Sequence, residues 1–316
     1  MEKPTVAVVG IGATGVVLAA ALLSTDPEVC LVDPQPGLAE TLRRTGLTVT
    51  GEISYHVPVK HAVAKVEELK DYRPDVVFVA TKTFHLDPVL NGLAGVFRPG
   101  MKIVSTHNGL GTEDVIADRF GPEAALRMSL NYGVSLQGPG QVAAAFFNRP
   151  NHLGGVVEES RDAGVSLCDR LTAGGLDTAY VDDIKLFVWK KMIMKCTMAS
   201  ICAVTDMTIK EALTFPPTRE IADACFDEAL AVAKAKGYDL GPGYLKEALG
   251  YLEKVGIHKD SMCFDLANRS RTEIDFLGGK VVEYGRETKV ATPCYSVMTN
   301  LVKAFENKVL KEGASR

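Results

Sequence analysis

The sequence predicts an α/β half followed by an all-α half, on three observations. A β-branched apolar run, Thr5–Val9, leads straight into Gly10-Ile11-Gly12-Ala13-Thr14-Gly15 and then an apolar helix over Val16–Leu23. Short apolar runs alternate with helical stretches as far as about residue 181, the pattern of a buried parallel sheet with crossover helices. Beyond that point the apolar spacing is helical almost throughout.

The first element carries the strongest local signal. A strand, then G-x-G-x-x-G, then a helix is the arrangement that holds a dinucleotide in a Rossmann-type domain. Gly10 permits the tight turn, Gly12 lets backbone approach a pyrophosphate, and Gly15 lets helix and strand pack closely. Ala13 and Thr14 sit at the helix N-terminus, whose free N–H groups and partial positive charge suit phosphates. A second strand, Glu28–Val32, ends at Asp33. An acid at about that distance from the motif accepts hydrogen bonds from the adenosine ribose hydroxyls and repels a 2′-phosphate. No basic residue follows until Arg43, so the sequence favours NAD over NADP. The plainer reading of Asp33 is a turn residue before Pro34.

Leu47–Val59 reads as a strand pair around Gly51, Val76–Ala80 as a buried strand, Leu86–Phe97 as a helix, and Lys102–Ser105 as another strand. Ligands of open parallel sheets bind beyond the carboxyl ends of strands, which is where Lys82 and Asn108 fall. Their plainer readings are a solvated lysine and a turn-forming Asn-Gly. Ala125–Leu136 and Gln141–Phe147, joined by Gly138-Pro139-Gly140, read as a hairpin extending the sheet. Residues 147–152 read as a polar loop from which His152 could reach a ligand. Helix Glu158–Ala173 and strand Thr178–Val181 complete a first domain at 1–181; the second is expected at 182–316.

The second half is organised around one long helix, Asp183–Ala203. Ile184, Phe187, Val188, Met192, Met198, Ala199 and Cys202 share a face, and Lys191 and Lys195 lie within that stripe, one turn apart. A lysine in an apolar stripe either snorkels outward on its methylene stem or has a task, and proton donation is a common one. Helices follow at Ile209–Leu213, Pro216–Lys236 and from Pro242 to Val255, with Ser261–Asp265 beyond a loop. Thr272 with Asp275 suggests a capping box, placing Glu273 in the first turn of a helix reaching Arg286. After Pro293, a last helix carries Met298, Leu301, Val302 and Phe305 as one stripe.

Composition narrows the functional classes. The chain has 316 residues, a net charge of -4 and no basic run, which argues against nucleic acid as a partner. No apolar run is long enough to span a bilayer, and MEKPTVAVVG lacks signal-peptide architecture, so a cytoplasmic protein is expected. The cysteines (Cys30, Cys168, Cys196, Cys202, Cys225, Cys263, Cys294) are scattered without metal-ligand spacing, so they read as reduced thiols, and no metal is expected.

Together these motifs give a whole-length resemblance. The chain resembles the ketopantoate reductases, the 2-dehydropantoate 2-reductase family, through GIGATG, Thr81-Lys82, Asn108-Gly109, Trp189-Lys190-Lys191, Ser261-Met-x-x-Asp265 and Thr272-Glu-Ile-Asp275. The resemblance implies a Rossmann domain followed by a helical domain and, for pantothenate biosynthesis, NAD(P)H-dependent reduction of a 2-oxo acid. It implies Lys191 as general acid, Asn108 beside nicotinamide and substrate, Ser261 on the substrate, Glu273 completing the site, and Thr81 and Lys82 on the cofactor. It also implies a homodimer. The family typically carries asparagines four and eight residues after the catalytic lysine, where this chain has Lys195 and Ala199. The substrate implied is ketopantoate or a related branched or anionic 2-oxo acid, with Lys195 holding a second anionic group, holding the substrate's own carboxylate one turn further along the helix, or pairing with a nearby acid. The family's NAD-dependent D-2-hydroxyacid dehydrogenases suit Asp33. Two other readings stand beside this one: opine-type reductive amination, and a nucleotide-binding regulator without catalysis.

Overall fold

Alternate side chains of a strand point to opposite faces, so a strand apolar at every position must be covered on both sides. In a computed structural model of the chain, which describes residues 4–314, the first strand behaves this way. Val6 and Val8 join one apolar core, with Leu31, Phe78 and the first helix, while Ala7 and Val9 join another, with Cys30, Val77 and Leu90. The elements are β1 (Val6–Val9), α1 (Ala13–Leu23), β2 (Cys30–Val32), α2 (Leu38–Thr45), β3 (Leu47–Gly51), β4 (Tyr55–Val57), β5 (His61–Val63), α3 (Leu69–Tyr72), β6 (Val76–Val79), α4 (Leu86–Leu93) and β7 (Lys102–Ser105). They continue with α5 (Thr112–Phe120), β8 (Ala125–Ser129), β9 (Tyr132–Gly138), β10 (Gln141–Phe147), β11 (Asn151–Gly155), α6 (Arg161–Ala173) and β12 (Thr178–Tyr180).

The larger sheet has eight strands in the order β12-β11-β8-β7-β6-β1-β2-β5, parallel except where β11 runs against β8. From β1 the chain builds outward through β2 in one direction and, from β6, through β7 and β8 in the other. The strand order therefore reverses between β1 and β6, the switch point at which open α/β sheets bind ligands.

Two expectations for this half need correction. The Ala125–Phe147 segment does not extend the main sheet as a hairpin. Its first part, β8, is a fully buried strand of the large sheet, whereas β9 and β10 build a separate four-stranded sheet, β4-β3-β10-β9. The break falls at Asn131, whose side chain donates to the Pro150 carbonyl at 2.6 Å and whose backbone N–H donates to Asn151 Oδ1 at 2.8 Å. Those bonds turn the chain between sheets, and no periodicity encodes them. His152 is not on a loop but in β11, half-buried and opposite Ser129 and Ala179.

The remainder is helical: α7 (Ile184–Thr205), α8 (Ile209–Thr214), α9 (Pro216–Ala235), α10 (Tyr244–Val255), α11 (Ser261–Ala267), α12 (Gly278–Thr288) and α13 (Pro293–Ala314). The chain divides into two units. One comprises Met1–His107 and Thr112–Lys185; the other comprises Asn108–Gly111 and Leu186–Arg316. α7 is the core helix of the second unit, with Val188, Trp189, Met192, Ile193, Cys196, Met198, Ala199, Ile201 and Cys202 all buried. The Thr272–Asp275 capping box does not form. The Thr272 N–H and hydroxyl both donate to Glu306 of α13 at 2.6 Å, and Asp275 pairs with Lys303 at 2.6 Å. The expected helix from 272 to 286 is accordingly split into a 3-10 turn, Ile274–Phe276, and α12. The α13 stripe is also divided: Met298 and Val302 are buried, whereas Leu301 and Phe305 are exposed. No helix among the described residues is long and apolar enough to cross a membrane.

Candidate functional site

In the first unit the glycine motif folds as its spacing requires. Gly10 has φ +92, in the left-handed region that disfavours side chains, and a Cβ there would lie 2.8 Å from Thr81. At Gly15 a Cβ would meet the Gly10 carbonyl oxygen at 1.9 Å, so α1 can reach the β1 turn only with glycine at this position. Gly12 differs: a Cβ there would touch nothing within 4 Å. Its bare backbone faces open space at the N-cap of α1, where no side chain caps the helix and no acid occupies the first turn. Exposed donors beside an open approach fit the pyrophosphate of a dinucleotide.

Asp33 lies at the carboxyl end of β2, next to β1. Its Oδ2 accepts from the Ile11 N–H at 2.8 Å and its Oδ1 from the Gln35 N–H at 3.0 Å. The second bond is the turn that the plainer reading anticipated; the first ties the carboxylate to the glycine motif itself. Arg43, the first basic residue after it, donates to the Ala62 carbonyl of β5. Thr81 and Lys82 follow β6, on the other side of β1, and Lys82 precedes a 3-10 turn at Thr83–His85. The residues present fit a dinucleotide.

Behind Thr81 lies a buried polar network that the sequence reading missed. His107 Nδ1 sits 3.0 Å from Ser105 Oγ, and its Nε2 sits 3.3 Å from Thr81 Oγ1. Arg127 on β8 donates to Ser105 Oγ at 2.8 Å and also to Thr112 and the His107 carbonyl, with Glu113 at 3.7 Å. Burial, reinforced by the Arg127 charge, pushes the His107 imidazole down to about 3, so it is neutral at physiological pH. An arginine inside the apolar run ALRMS was the available signal.

In the second unit, Lys191 and Lys195 are half-buried on α7, one turn apart. They project to different partners. The Lys191 ammonium donates to Asn108 Oδ1 at 2.8 Å. Asn108 lies in the 108–111 segment, which is held by a hydrogen bond from the Leu110 N–H to the Phe276 carbonyl at 2.8 Å. The Lys195 ammonium donates to Asp260 Oδ2 at 2.6 Å and to Ser261 Oγ at 2.8 Å. Asp260 is the N-cap of α11, its Oδ1 accepting from the Met262 N–H at 2.9 Å. Sequence reasoning missed Asp260, although an Asp before Ser at a helix start is a recognisable N-cap signal. Ala199 is buried. Glu273 is half-buried just before the 3-10 turn. The geometry thus joins Lys191 with Asn108, and Lys195 with Ser261. Among the described residues no cluster of histidine, cysteine and acidic side chains could hold a metal ion.

Comparison with known proteins places the chain in context. A family model described as "Ketopantoate reductase PanE/ApbA" matches residues 6–156, and one described as "Ketopantoate reductase PanE/ApbA C terminal" matches residues 183–306. A 2-dehydropantoate 2-reductase from Streptococcus pyogenes is 29% identical over 302 residues, covering 95% of this chain and 97% of the relative. A ternary structure of D-mandelate dehydrogenase with NADH and anilino(oxo)acetate shares the fold with TM-score 0.87 and 24% identity, covering 96% of this chain and 99% of the other. A dimeric ketopantoate reductase from Staphylococcus aureus shares it with TM-score 0.79 and 17% identity, over 96% and 99%.

Proposed function

The chain belongs to the ketopantoate reductase family, and on that premise we propose that it reduces the carbonyl of a 2-oxo acid to the D-2-hydroxy acid with a nicotinamide cofactor. The observation that carries the proposal is the Lys191 ammonium, half-buried on a core helix and 2.8 Å from the Asn108 side-chain oxygen. When bound, the reduced nicotinamide supplies a hydride to the carbonyl carbon. Negative charge then develops on the carbonyl oxygen, and Lys191 stabilises it and donates the proton. Asn108, accepting from Lys191 through its oxygen, fixes the direction of the ammonium and keeps its amide N–H groups for the substrate. Ser261 and Lys195 bind the substrate's carboxylate end. Glu273 is assigned with Lys191 to the catalytic group on the strength of the family motif alone.

NAD is proposed ahead of NADP. The support is Asp33, whose carboxylate is tied to the glycine motif, together with the commitment of Arg43 to a backbone carbonyl. Gly10, Gly12, Ala13, Thr14, Gly15, Thr81 and Lys82 are the proposed remainder of the cofactor site. A homodimer is proposed as well. Its support is the outer face of α13, where Val297, Leu301 and Phe305 recur at four-residue steps, all exposed, and the dimeric S. aureus reductase of the same fold. A solution mass of one chain would refute the dimer.

The activity is tested by NADH oxidation over 2-dehydropantoate and branched, aromatic and dianionic 2-oxo acids. Turnover of at least one, without added ammonia or amino acid, is expected. Strict dependence on an amine would favour the opine-type reaction. Tight NADH binding with no turnover across the set would favour the non-catalytic regulator.

A further inference from the structure

We propose that Asp260 is a positioning residue that makes the Lys195–Ser261 corner a receptor for one carboxylate and selects against a second anionic group on the substrate. The inference rests on the proposed 2-oxo acid chemistry and concerns which such acids fit.

Lys195 is a cation where the family typically has a neutral amide, and taken alone it would favour a dianionic substrate. Its surroundings reverse that expectation. The ammonium is 2.6 Å from Asp260 Oδ2, and the two side chains are 19% and 6% exposed, so the pair is too sheltered for solvent to screen it fully. Asp260 is held from both oxygens: Oδ2 accepts from Lys195, and Oδ1 caps α11 through the Met262 N–H at 2.9 Å. The Lys195 charge is therefore balanced by an acid that cannot swing away. A second carboxylate arriving at this corner would meet a neutral pair whose negative member is fixed.

The corner still offers donors. An ammonium has three protons, and those directed to Asp260 and Ser261 leave one more. Ser261 Oγ accepts from Lys195 at 2.8 Å, and its own proton faces Asp260 Oδ1 across a long 3.5 Å. Ser261 is exposed, so a ligand oxygen can draw that proton from so weak a bond. One ammonium proton and one hydroxyl proton suit the two oxygens of a single carboxylate. One turn further along α7, Ala199 is buried and adds no polar group. The substrate class is then a 2-oxo monocarboxylate whose remaining side chain is uncharged.

The test is Asp260→Asn, which keeps an oxygen acceptor for the Met262 cap, removes the charge and turns an amide NH2 toward Lys195 in place of the second acceptor, beside Lys195→Asn/Asp260→Asn, which removes both charges without stranding either in a sheltered site. Kinetics use 2-oxoisovalerate as monocarboxylate and 2-oxoglutarate as dicarboxylate. In Asp260→Asn, KM for 2-oxoisovalerate is expected to rise about tenfold with kcat changed by less than about threefold. The kcat/KM preference for the monocarboxylate is expected to fall about tenfold, because Lys195 is no longer balanced. The double variant should keep the raised KM but regain the preference. Calorimetric binding of 2-hydroxyisovalerate and 2-hydroxyglutarate to the NAD-loaded protein reads the same preference without catalysis. If binding preference collapses in Asp260→Asn while no 2-oxo acid is ever turned over, the clamp stands and the proposed reaction falls. If turnover is normal and neither KM nor preference moves in Asp260→Asn, the reaction stands and the clamp is overturned.

Discussion

Lys191 donates to the side-chain oxygen of Asn108 across 2.8 Å, and the two residues are 83 positions apart in the chain. A lysine in the middle of an apolar helix thereby has its ammonium held at the Asn108 side chain. Replacing Lys191 with alanine should reduce kcat about a thousandfold, as expected for loss of a general acid, while NADH affinity stays within about twofold. Asn108→Ala should cost less, since the ammonium remains but is no longer aimed. Steady-state kinetics with calorimetric NADH titration measure both, and near-normal turnover in Lys191→Ala would refute the assigned role.

Asp33 sets the cofactor prediction. Asparagine at this position keeps an oxygen for the Ile11 or Gln35 N–H and loses the charge that opposes a 2′-phosphate. The ratio of kcat/KM for NADH over NADPH should exceed one in the native chain and drop about tenfold in Asp33→Asn. A native preference for NADPH would overturn the argument from Asp33.

Gly12 and Gly15 should separate binding from folding. A methyl group at Gly15 would sit 1.9 Å from the Gly10 carbonyl, so Gly15→Ala should lose about 1–3 kcal/mol or more of stability, seen as a lower thermal midpoint. Gly12→Ala meets no protein atom within 4 Å and should melt like the native chain, yet bind NADH about tenfold or more weakly. Native affinity in Gly12→Ala would show that no phosphate approaches that backbone.

His107 predicts an acid dependence of stability. Its imidazole titrates at about 3 when folded, against an ordinary value of 6.5. Between those values the unfolded chain binds a proton that the folded chain refuses, so its contribution to stability is complete above the ordinary value and is lost as pH falls through the window. The limiting slope is about 1.4 kcal/mol per pH unit for one proton. Unfolding free energies from urea titrations of the native chain and His107→Gln, compared from about pH 4 to 7, should differ by that slope. Parallel curves would mean that His107 does not titrate in this way.

Much of this architecture could be read from residue order because its causes are local. The GIGATG turn, the strand ending at Asp33 and the apolar stripe of α7 each follow from a few neighbouring side chains and their period. Misreadings arose where a distant partner decided the outcome. Asn131 turns the chain from one sheet to another through Pro150 and Asn151, and Glu306 occupies Thr272, which otherwise resembled a helix cap. Lys195 is the instructive residue. Its place on the helix was evident from spacing, but its charge is balanced by Asp260, 65 positions away, and no periodicity reports that. Leu301 and Phe305 fit a buried stripe by spacing yet face outward, because period identifies a face and not what covers it.

The assignment of Asn108–Gly111 to the helical unit has a consequence for how this protein can be divided or inherited. A gene fragment beginning at codon 186 would encode every helix of that unit after the first turn of α7, yet lack the four residues whose backbone reaches Phe276 and whose asparagine orients Lys191. A fragment ending at codon 185 would carry those residues without their hydrogen-bonding hosts. The halves are therefore poor candidates for exchange by recombination at a single crossover. Any chimera with a relative should keep 108–111 and the 186–316 segment from the same parent.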